Sequence, residues 1–157
     1  MGVSNQEFRN ALATFASGVT VVTASAGNQL YGLTVSAFCS VSLEPPLILV
    51  CIENAARCRD AFSKAGKIAI NVLSEQQIDI SARFATQLKN KFEGIEYGLN
   101  GNGTPLLSGT VATLECSICE EVEGGDHTIF VAEVERTTVN GGSPLLYFKG
   151  GYNRLVN

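Results

Sequence analysis

The sequence predicts a mainly β protein, folded as a closed antiparallel barrel with about three short peripheral helices. Six or seven segments have the pattern of strands, because their apolar residues alternate or form short continuous runs. Only about three segments have helical spacing, and they do not alternate regularly with the strands as a doubly wound parallel sheet requires. Turn signals separate the strand segments, which favours an antiparallel barrel.

The first third of the chain predicts one helix and then a series of strands. Ser4 and Glu7 have the spacing of a capping box, with Ser4 as the N-cap. The apolar residues of this helix share one face: Phe8, Ala11, Leu12 and Phe15. We expect Gly18 to end the helix. Strands follow over 19–25, over 30–42 in two parts joined by a tight loop, and over 47–52, with a turn at 26–28 and a stop at 45–46.

The middle of the chain predicts two short helices around a buried strand. Asn54 is placed to cap a helix over 55–65, which Gly66 closes, and residues 67–73 form the strand. Ser74 and Gln77 have the spacing of a second capping box, which opens a helix running towards Phe84. Residues 86–108 are polar and rich in glycine, so we expect a long surface excursion there.

The last part of the chain predicts three strands. Two long strands cover 109–121 and 127–139 and are joined by residues 122–126. A turn at 140–142 leads into a last strand over 144–152. The sequence shows no internal repeat and no linker, so we expect residues 1–157 to form one domain.

Composition excludes several classes of protein. With 45% hydrophobic and 17% charged residues, the chain is not of the disordered class. A net charge of −4 argues against an extended nucleic-acid surface, although a small anionic ligand needs only a few local donors. No apolar run approaches the length of a membrane span, and the polar N-terminus has no signal pattern. An odd number of cysteines, five, indicates reduced thiols and a cytoplasmic location.

The motifs of several enzyme classes are missing. The sequence has no dinucleotide fingerprint, no Walker loop and no nucleophile elbow. Cys116 and Cys119 form a CxxC pair, but in an alternating strand they point to opposite faces, so we expect no metal there. With a single histidine and no cluster of carboxylates, a catalytic metal is not expected. If the protein is an enzyme, an organic cofactor supplies the difficult chemistry.

Four segments hold residues suited to ligand binding, and each also has a purely structural interpretation. Residues 32–42 are rich in small hydroxyls that suit a phosphate or a polar ring edge, or that simply face solvent. Arg83 next to Phe84 matches a phosphate or is a solvated helix residue. The aromatic and glycine residues of 144–152 suit a planar ligand or end an edge strand. His127 follows a glycine pair, as a ligand contact or as a polar turn residue.

Taken together, these segments resemble the short-chain flavin reductase family. The matching pieces stand in family order and cover about residues 8–155: FASGVTVVTA (15–24), GLTVSAFCSVSLEPPLILVCI (32–52), AINVLS (69–74), ISARFA (80–85), GGDHTIFVAEV (124–134) and PLLYFKGGY (144–152). The resemblance implies the FMN-binding split β-barrel of Greek-key type. It also implies an NAD(P)H:flavin oxidoreductase of the EC 1.5.1 type, which supplies reduced flavin to the separate oxygenase of a two-component aromatic monooxygenase.

The resemblance implies roles for particular residues. Those expected to line the flavin ring and its polyol chain are Thr34, Val35, Ser36, Ala37, Ser40 and Val41. Those expected along the ring edge and towards the flavin phosphate are Cys51, Glu53, Asn54, Ala55, Ala56 and Arg57. The phosphate end is completed by Ser81, Arg83 and Phe84, and the tail that packs on nicotinamide and flavin contains Phe148, Gly150, Gly151 and Tyr152. His127 is the candidate catalytic residue, as a contact of the nicotinamide cofactor rather than a general base.

The implied reaction is hydride transfer from the nicotinamide C4 to the flavin N5, with backbone N–H groups near 34–41 and 51–57 stabilising the charge that develops on the flavin. FMN or FAD and NADH or NADPH are the expected cofactors, and neither choice follows from the sequence. A homodimer is expected, without nucleic acid or membrane partners. Two alternatives stay open: an electron carrier that keeps its flavin without turning over free flavin, and a plain barrel that binds a small ligand.

Overall fold

The computed structural model describes residues 2–156 of the chain. This part contains twelve strands and three helices. The helices are α1 (Asn5–Ala13), α2 (Arg57–Ala65) and α3 (Ile78–Phe84). The strands are β1 (Ser17–Gly18), β2 (Thr20–Ala26), β3 (Gln29–Val35), β4 (Phe38–Ser42), β5 (Leu47–Glu53), β6 (Lys67–Val72), β7 (Tyr97–Leu99), β8 (Pro105–Leu107), β9 (Ala112–Gly124), β10 (His127–Val139), β11 (Leu146–Phe148) and β12 (Gly151–Asn153).

Seven strands form one antiparallel sheet in the order β3-β2-β6-β9-β10-β5-β4. Its two edge strands, β3 and β4, follow each other in the chain and are joined only by Ser36 and Ala37. The sheet therefore curls back on itself, and its edges meet at this link without pairing along their length. This arrangement confirms the expected mainly β split barrel with three short helices.

Apolar side chains from alternate strand positions fill the inside of the barrel. Along β5 and β10, Val50, Ile52, Phe130 and Ala132 are fully buried, while their chain neighbours are more exposed. Helix α2 packs over this interior, and its Phe62 ring meets the Phe130 ring edge-on with centroids 6.4 Å apart. The inward positions of the strands thus form one continuous core.

A second, smaller core lies on the other face of β2, under α3 and the segment that follows it. Its buried members are Val19, Val21, Leu73, Phe84, Leu107 and Leu145. The buried side chain of Asn71 joins three strands beside this core, because Nδ2 donates to Val21 O and Thr23 Oγ1 while Oδ1 accepts from Leu107 N–H. Each polar atom of this amide has a partner, which makes its burial tolerable.

The N-terminal helix begins as expected and ends early. The capping box of Ser4 and Glu7 is confirmed, but α1 ends at Ala13 and not at Gly18. The prediction of Gly18 as the helix end was wrong because Ser17 and Gly18 pair with β11 as strand β1. No residue of α1 is buried, and the apolar side chains of Phe8, Leu12 and Phe15 are exposed.

The other two helices begin later than predicted. Asn54 does not cap α2, which starts at Arg57, because its amide is bonded to Thr128 and Gly125 instead. Helix α3 starts at Ile78, four residues after Ser74. The predicted capping box forms only in part. Gln77 Oε1 accepts from Ser74 N–H, but Ser74 forms an antiparallel β-bridge with Pro144. The end of α2 at Gly66, with φ of 64°, is confirmed.

Two loop-like segments contain more structure than the sequence suggested. The expected surface excursion over 86–108 includes the hairpin β7–β8, and Thr104, Pro105 and Leu107 in it are buried. That prediction was wrong for this part because Asn71 and Thr23 bind the backbone of the segment. The predicted last strand over 144–152 is a hairpin of β11 and β12 that turns at Lys149 and Gly150, both with positive φ.

In the long hairpin, β10 covers the predicted residues 127–139, but β9 runs over Ala112–Gly124 and not over 109–121. The predicted connection over 122–126 was too long because residues 122–124 pair with β10. Cys116 is buried in the barrel and Cys119 is exposed, as the alternation of β9 predicts. Between residues 2 and 156, no helix is both long and apolar enough to cross a membrane.

Candidate functional site

A cleft of about 330 Å³ opens where β3, the link to β4, the end of β5 and the start of β10 come together. The sequence-predicted residues that line it are Thr34, Val35, Ser36, Ala37, Cys51, Glu53, Ala55, Ala56 and His127. Three segments that are far apart in the chain thus meet in one cavity. Many of these side chains are alanine or serine, which leaves room between the walls for a flat ring.

The link between β3 and β4 is held in place by backbone bonds. Phe38 N–H donates to Ser36 O at 2.9 Å, and Cys51 N–H donates to Ala37 O at 3.0 Å. The Thr34 hydroxyl donates to Ser81 O at 2.6 Å, so its proton is used to fasten β3 to α3. Ser36 and Ala37 themselves are exposed at the cleft.

His127 stands at the first position of β10, opposite Glu53 of β5. Its Nδ1 lies 2.7 Å from Asp126 Oδ1, and the side chain is 41% exposed. The hydrogen bond from His127 holds the pKa of Asp126 below its usual value. Because an ionised carboxylate only accepts, the proton of neutral His127 lies on Nδ1 and leaves Nε2 as the ring atom able to meet a ligand.

A second groove of about 490 Å³ adjoins the cleft and shares Leu33, Ala56 and Gln87 with it. Its lining includes three cations, Arg57, Lys89 and Lys91, and no carboxylate. In a chain with net charge −4, such a one-sided lining favours an anionic ligand. The groove therefore extends the cleft with a region suited to phosphate.

Lys91 is the most buried of these cations. Its Nζ donates to Gly32 O and to Phe84 O, each at 2.9 Å, and burial lowers the pKa of its ammonium group. Two of the three ammonium protons are thereby used to hold the segment after α3 against β3. Arg57 and Lys89 are exposed at the groove.

The predicted phosphate residues of α3 are placed differently. The guanidinium of Arg83 donates to the backbone carbonyls of Asn90, Lys91 and Glu93. It therefore stabilises the backbone of the segment that lines the groove. Phe84 is fully buried, and its ring lies so close to Gly32 that a Cβ on that glycine would be 2.5 Å away. Ser81 is buried too, with its Oγ 2.8 Å from Tyr152 Oη.

The remaining predicted residues lie outside the lining of the cleft. Ser40 and Val41 are exposed on the edge strand β4, and Asn54 lies in the loop that carries Glu53, Ala55 and Ala56. The C-terminal hairpin holds Phe148, Gly150, Gly151 and Tyr152, and reaches the cleft only indirectly, from Tyr152 through Ser81 to Thr34.

Sequence reasoning missed Leu33, Ala85 and Gln87 in the cleft and Lys89 and Lys91 in the groove. A signal for the two lysines was present, because residues 85–92 contain two cations and no acidic residue. Within residues 2–156, no group of three His, Cys, Asp or Glu side chains is arranged to hold a metal ion.

Comparisons with known proteins agree on one family. Residues 12–156 match the family described as "Flavin reductase like domain". An FMN reductase (NADH) of Agrobacterium fabrum is 42% identical over 98% of this chain and 88% of its own length. The reductase component of a 4-nitrophenol monooxygenase of Rhodococcus opacus is 39% identical over 96% of this chain and 80% of its own length. A probable flavin reductase of Rhizobium meliloti is 43% identical over 92% of this chain, which spans only 47% of that relative.

A solved structure has the same fold. The NADH:FAD oxidoreductase of Streptomyces globisporus, in complex with NAD and FAD fragments, superposes with a TM-score of 0.92 at 33% identity. The match covers 99% of this chain and 98% of that one. The similarity in fold therefore extends over nearly the whole of both chains.

Proposed function

Because this chain belongs to the flavin reductase like domain family, we propose that it is an NAD(P)H:flavin oxidoreductase of the EC 1.5.1 type, which supplies reduced flavin to a separate monooxygenase component. The single observation that supports it best is the small-walled cleft next to a groove whose charged lining residues are all cations. Relatives named as an FMN reductase (NADH) and as the reductase component of a 4-nitrophenol monooxygenase support the same activity.

The cavities fit a flavin in both shape and charge. A planar ring needs a slot with small walls, and Ala37, Ala55 and Ala56 provide them on two sides of the cleft. The phosphate of FMN or the pyrophosphate of FAD needs cations, which Arg57 and Lys89 present in the adjoining groove. The bound flavin supplies hydride-accepting chemistry, and the protein supplies binding and orientation.

We propose that His127 contacts the nicotinamide substrate. Its Nδ1 is engaged by Asp126, so Nε2 accepts a hydrogen bond when the ring is neutral and donates one when it is protonated. Either bond orients the dinucleotide at the mouth of the cleft, and positioning of this kind provides much of the rate enhancement of hydride transfer. No proton transfer by His127 is required for that step.

We propose that the domain, residues 1–157, works in the cytoplasm, where its five free thiols suit a reducing environment. We also propose a homodimer. The cleft residues Cys51 and His127 lie on the outer face of the sheet, and this face continues into an apolar strip formed by Leu49, Ile129, Val131 and Val122. A second copy seated on this strip buries it and adds a wall to the open cleft.

A spectrophotometric assay tests the proposed function. NADH and NADPH oxidation is followed with FMN, FAD and riboflavin in turn, at catalytic amounts of protein. We expect turnover that depends on added flavin, with a lower KM for FMN or FAD than for riboflavin because riboflavin has no phosphate. A protein that retains flavin but does not oxidise NADH with free flavin would instead be an electron carrier. A protein that binds no flavin would be neither a flavin reductase nor a flavin-binding electron carrier.

A further inference from the structure

A chain of three hydrogen bonds connects α2, β10, the loop after β5 and the turn before His127. Arg59 Nε donates to Thr128 Oγ1 at 3.1 Å, and Thr128 Oγ1 donates to Asn54 Oδ1 at 2.7 Å. Asn54 Nδ2 then donates to Gly125 O at 3.4 Å. The backbone N–H of Asn54 adds a bond to Asp126 O at 2.9 Å.

The direction of this chain is set by its two ends, a guanidinium that only donates and a backbone carbonyl that only accepts. A guanidinium has only donors, so the Thr128 oxygen must accept from Arg59, and its single proton is directed to Asn54 Oδ1. The amide of Asn54 is thereby oriented with its NH2 group towards the carbonyl of Gly125. The opposite orientation would set the amide oxygen against that carbonyl, where two acceptors repel each other.

Thr128 occupies a position where packing alone calls for an apolar residue. It is 5% exposed and lies on the inward side of β10, in the same row of positions as Phe130 and Ala132. Burying a hydroxyl is costly unless both its proton and its oxygen have partners. Here both are used, because the oxygen accepts from Arg59 of α2 and the proton is donated to Asn54 in the loop after β5.

The loop after β5 and the turn before His127 hold the parts that must act together. The loop with Asn54 also carries Glu53, Ala55 and Ala56, which line the flavin cleft. The turn with Gly125 and Asp126 leads directly into His127 and contains the carboxylate bonded to its ring. A hydrogen-bond chain that joins loop and turn fixes the distance between the flavin wall and the imidazole.

We propose that Arg59, Thr128 and Asn54 are positioning residues that hold the His127 ring in register with the flavin cleft. This inference rests on the proposed function, since it gives these residues a task in aligning nicotinamide and flavin. They act through His127 and the cleft loop and do not require contact with the reacting atoms. Asn54, expected from the sequence to touch the flavin, serves in this proposal to align the loop.

The test replaces the hydroxyl of Thr128 and keeps the shape. We expect Thr128→Val to raise the KM for NADH roughly three- to tenfold, because both bonds of the hydroxyl are lost and the His127 ring is displaced, with a smaller change in the KM for flavin. Thr128→Ser keeps the hydroxyl and restores values close to those of the wild type. Thr113→Val is the matched control, because Thr113 is equally buried but lies at the far end of β9.

A second readout does not depend on turnover. The chain has one histidine, so its imidazole C2 proton gives a single assignable NMR signal. We expect this signal to move in Thr128→Val and in Arg59→Met, which keeps the apolar stem but removes the donor. It stays in place in Thr113→Val and Thr128→Ser. Arg59→Met also serves if Thr128→Val does not fold.

The outcomes separate the two proposals. Kinetics and a histidine signal in Thr128→Val and Arg59→Met that equal those of Thr113→Val would overturn the positioning role, even in an active reductase. A wild-type protein that does not oxidise NADH with any flavin would overturn the proposed function. In that case the histidine signal still decides whether the three residues hold the ring.

Discussion

Small side chains decide what the cleft can accept. Ser36, Ala37, Ala55 and Ala56 all reach its lining, and none extends beyond two side-chain atoms. Replacing any of these residues with a larger one would fill space that a planar ring needs. Gly32 is under a similar constraint, because the buried ring of Phe84 lies against it and any Cβ at this position would clash with the ring.

At the same scale, His127 is expected to act on the nicotinamide substrate. His127→Ala removes the ring and should raise the KM for NADH roughly tenfold, the loss of one charge-assisted or neutral hydrogen bond, while flavin binding changes little. Steady-state kinetics with NADH and flavin varied separately measure both. Glu123→Ala, an exposed change on the same hairpin, is the control. An unchanged KM for NADH in His127→Ala would contradict this role.

The cationic groove leads to a prediction that depends on the flavin used. Lys89→Gln should raise the KM for FMN roughly threefold to tenfold, because a charge-assisted bond to phosphate is lost. It should leave the KM for riboflavin unchanged, since riboflavin carries no phosphate. Arg136→Gln removes the same charge from an exposed site on β10 outside the groove and controls for net charge. An equal effect on riboflavin would refute the assignment of the groove to phosphate.

Most of the small residues that line the cleft were predicted from the sequence, but the contacts of some charged and aromatic residues were not. Thr34 to Ala37 and His127 occur in short motifs whose position in the fold follows from the chain order alone. Arg83 looked suited to phosphate, yet its guanidinium satisfies three backbone carbonyls of the segment after α3. Which partner a guanidinium takes depends on the path of a distant backbone, and the sequence does not contain that information locally.

At the scale of elements, tertiary contacts override helix signals at three places. Ser17 and Gly18 join β11, Ser74 bridges to Pro144, and Asn54 bonds to the turn of the long hairpin. In each case a residue that would end or cap a helix is used in a tertiary contact. The capping box of α1 is kept because its partners, Ser4 and Glu7, lie three residues apart and need no tertiary neighbour.

Asn71 is the side chain that joins separate elements most directly. Asn71→Leu should lower the free energy of unfolding by about 3 kcal/mol or more, because it leaves the backbone groups of Val21 and Leu107 buried without partners. Chemical denaturation measures the loss. Asn140→Ala, an exposed amide with one good bond to Thr110 O, should cost less than about 1 kcal/mol. Equal losses in the two variants would show that the buried amide does not hold β8 to the barrel.

At the scale of the whole molecule, the curled sheet leaves an apolar outer face beside the cleft. The barrel core is filled from inward positions of β2, β3, β5, β6, β9 and β10. Ile129 and Val131 face outwards together with Leu49 and Val122. Val122 is 38% exposed in the isolated chain. An uncovered strip next to an open cleft supports the proposed dimer, in which the second copy covers both.

Oligomer size tests this proposal. Val122→Glu places a charge on the strip and should shift the protein from dimer to monomer in light scattering after gel filtration, because burying an unpaired carboxylate is costly. Val139→Glu introduces the same charge at the far end of β10, where the side chain is 78% exposed, and should leave the dimer intact. A wild-type protein that is monomeric at all concentrations would rule out the dimer.

The sequence by itself predicted the fold class, the positions of the main strands along the chain and, through its resemblance to a family, most of the small residues that line the cleft. These follow from alternation, from the conformations open to glycine and from motifs only a few residues long. The tertiary structure alone decided where α2 and α3 begin, the burial of 104–107, the bonds of Arg83 and the orientation of Asn54. Each of these depends on a hydrogen-bond partner that is distant in the chain or belongs to another element, and such a partner becomes available only once the sheet has curled.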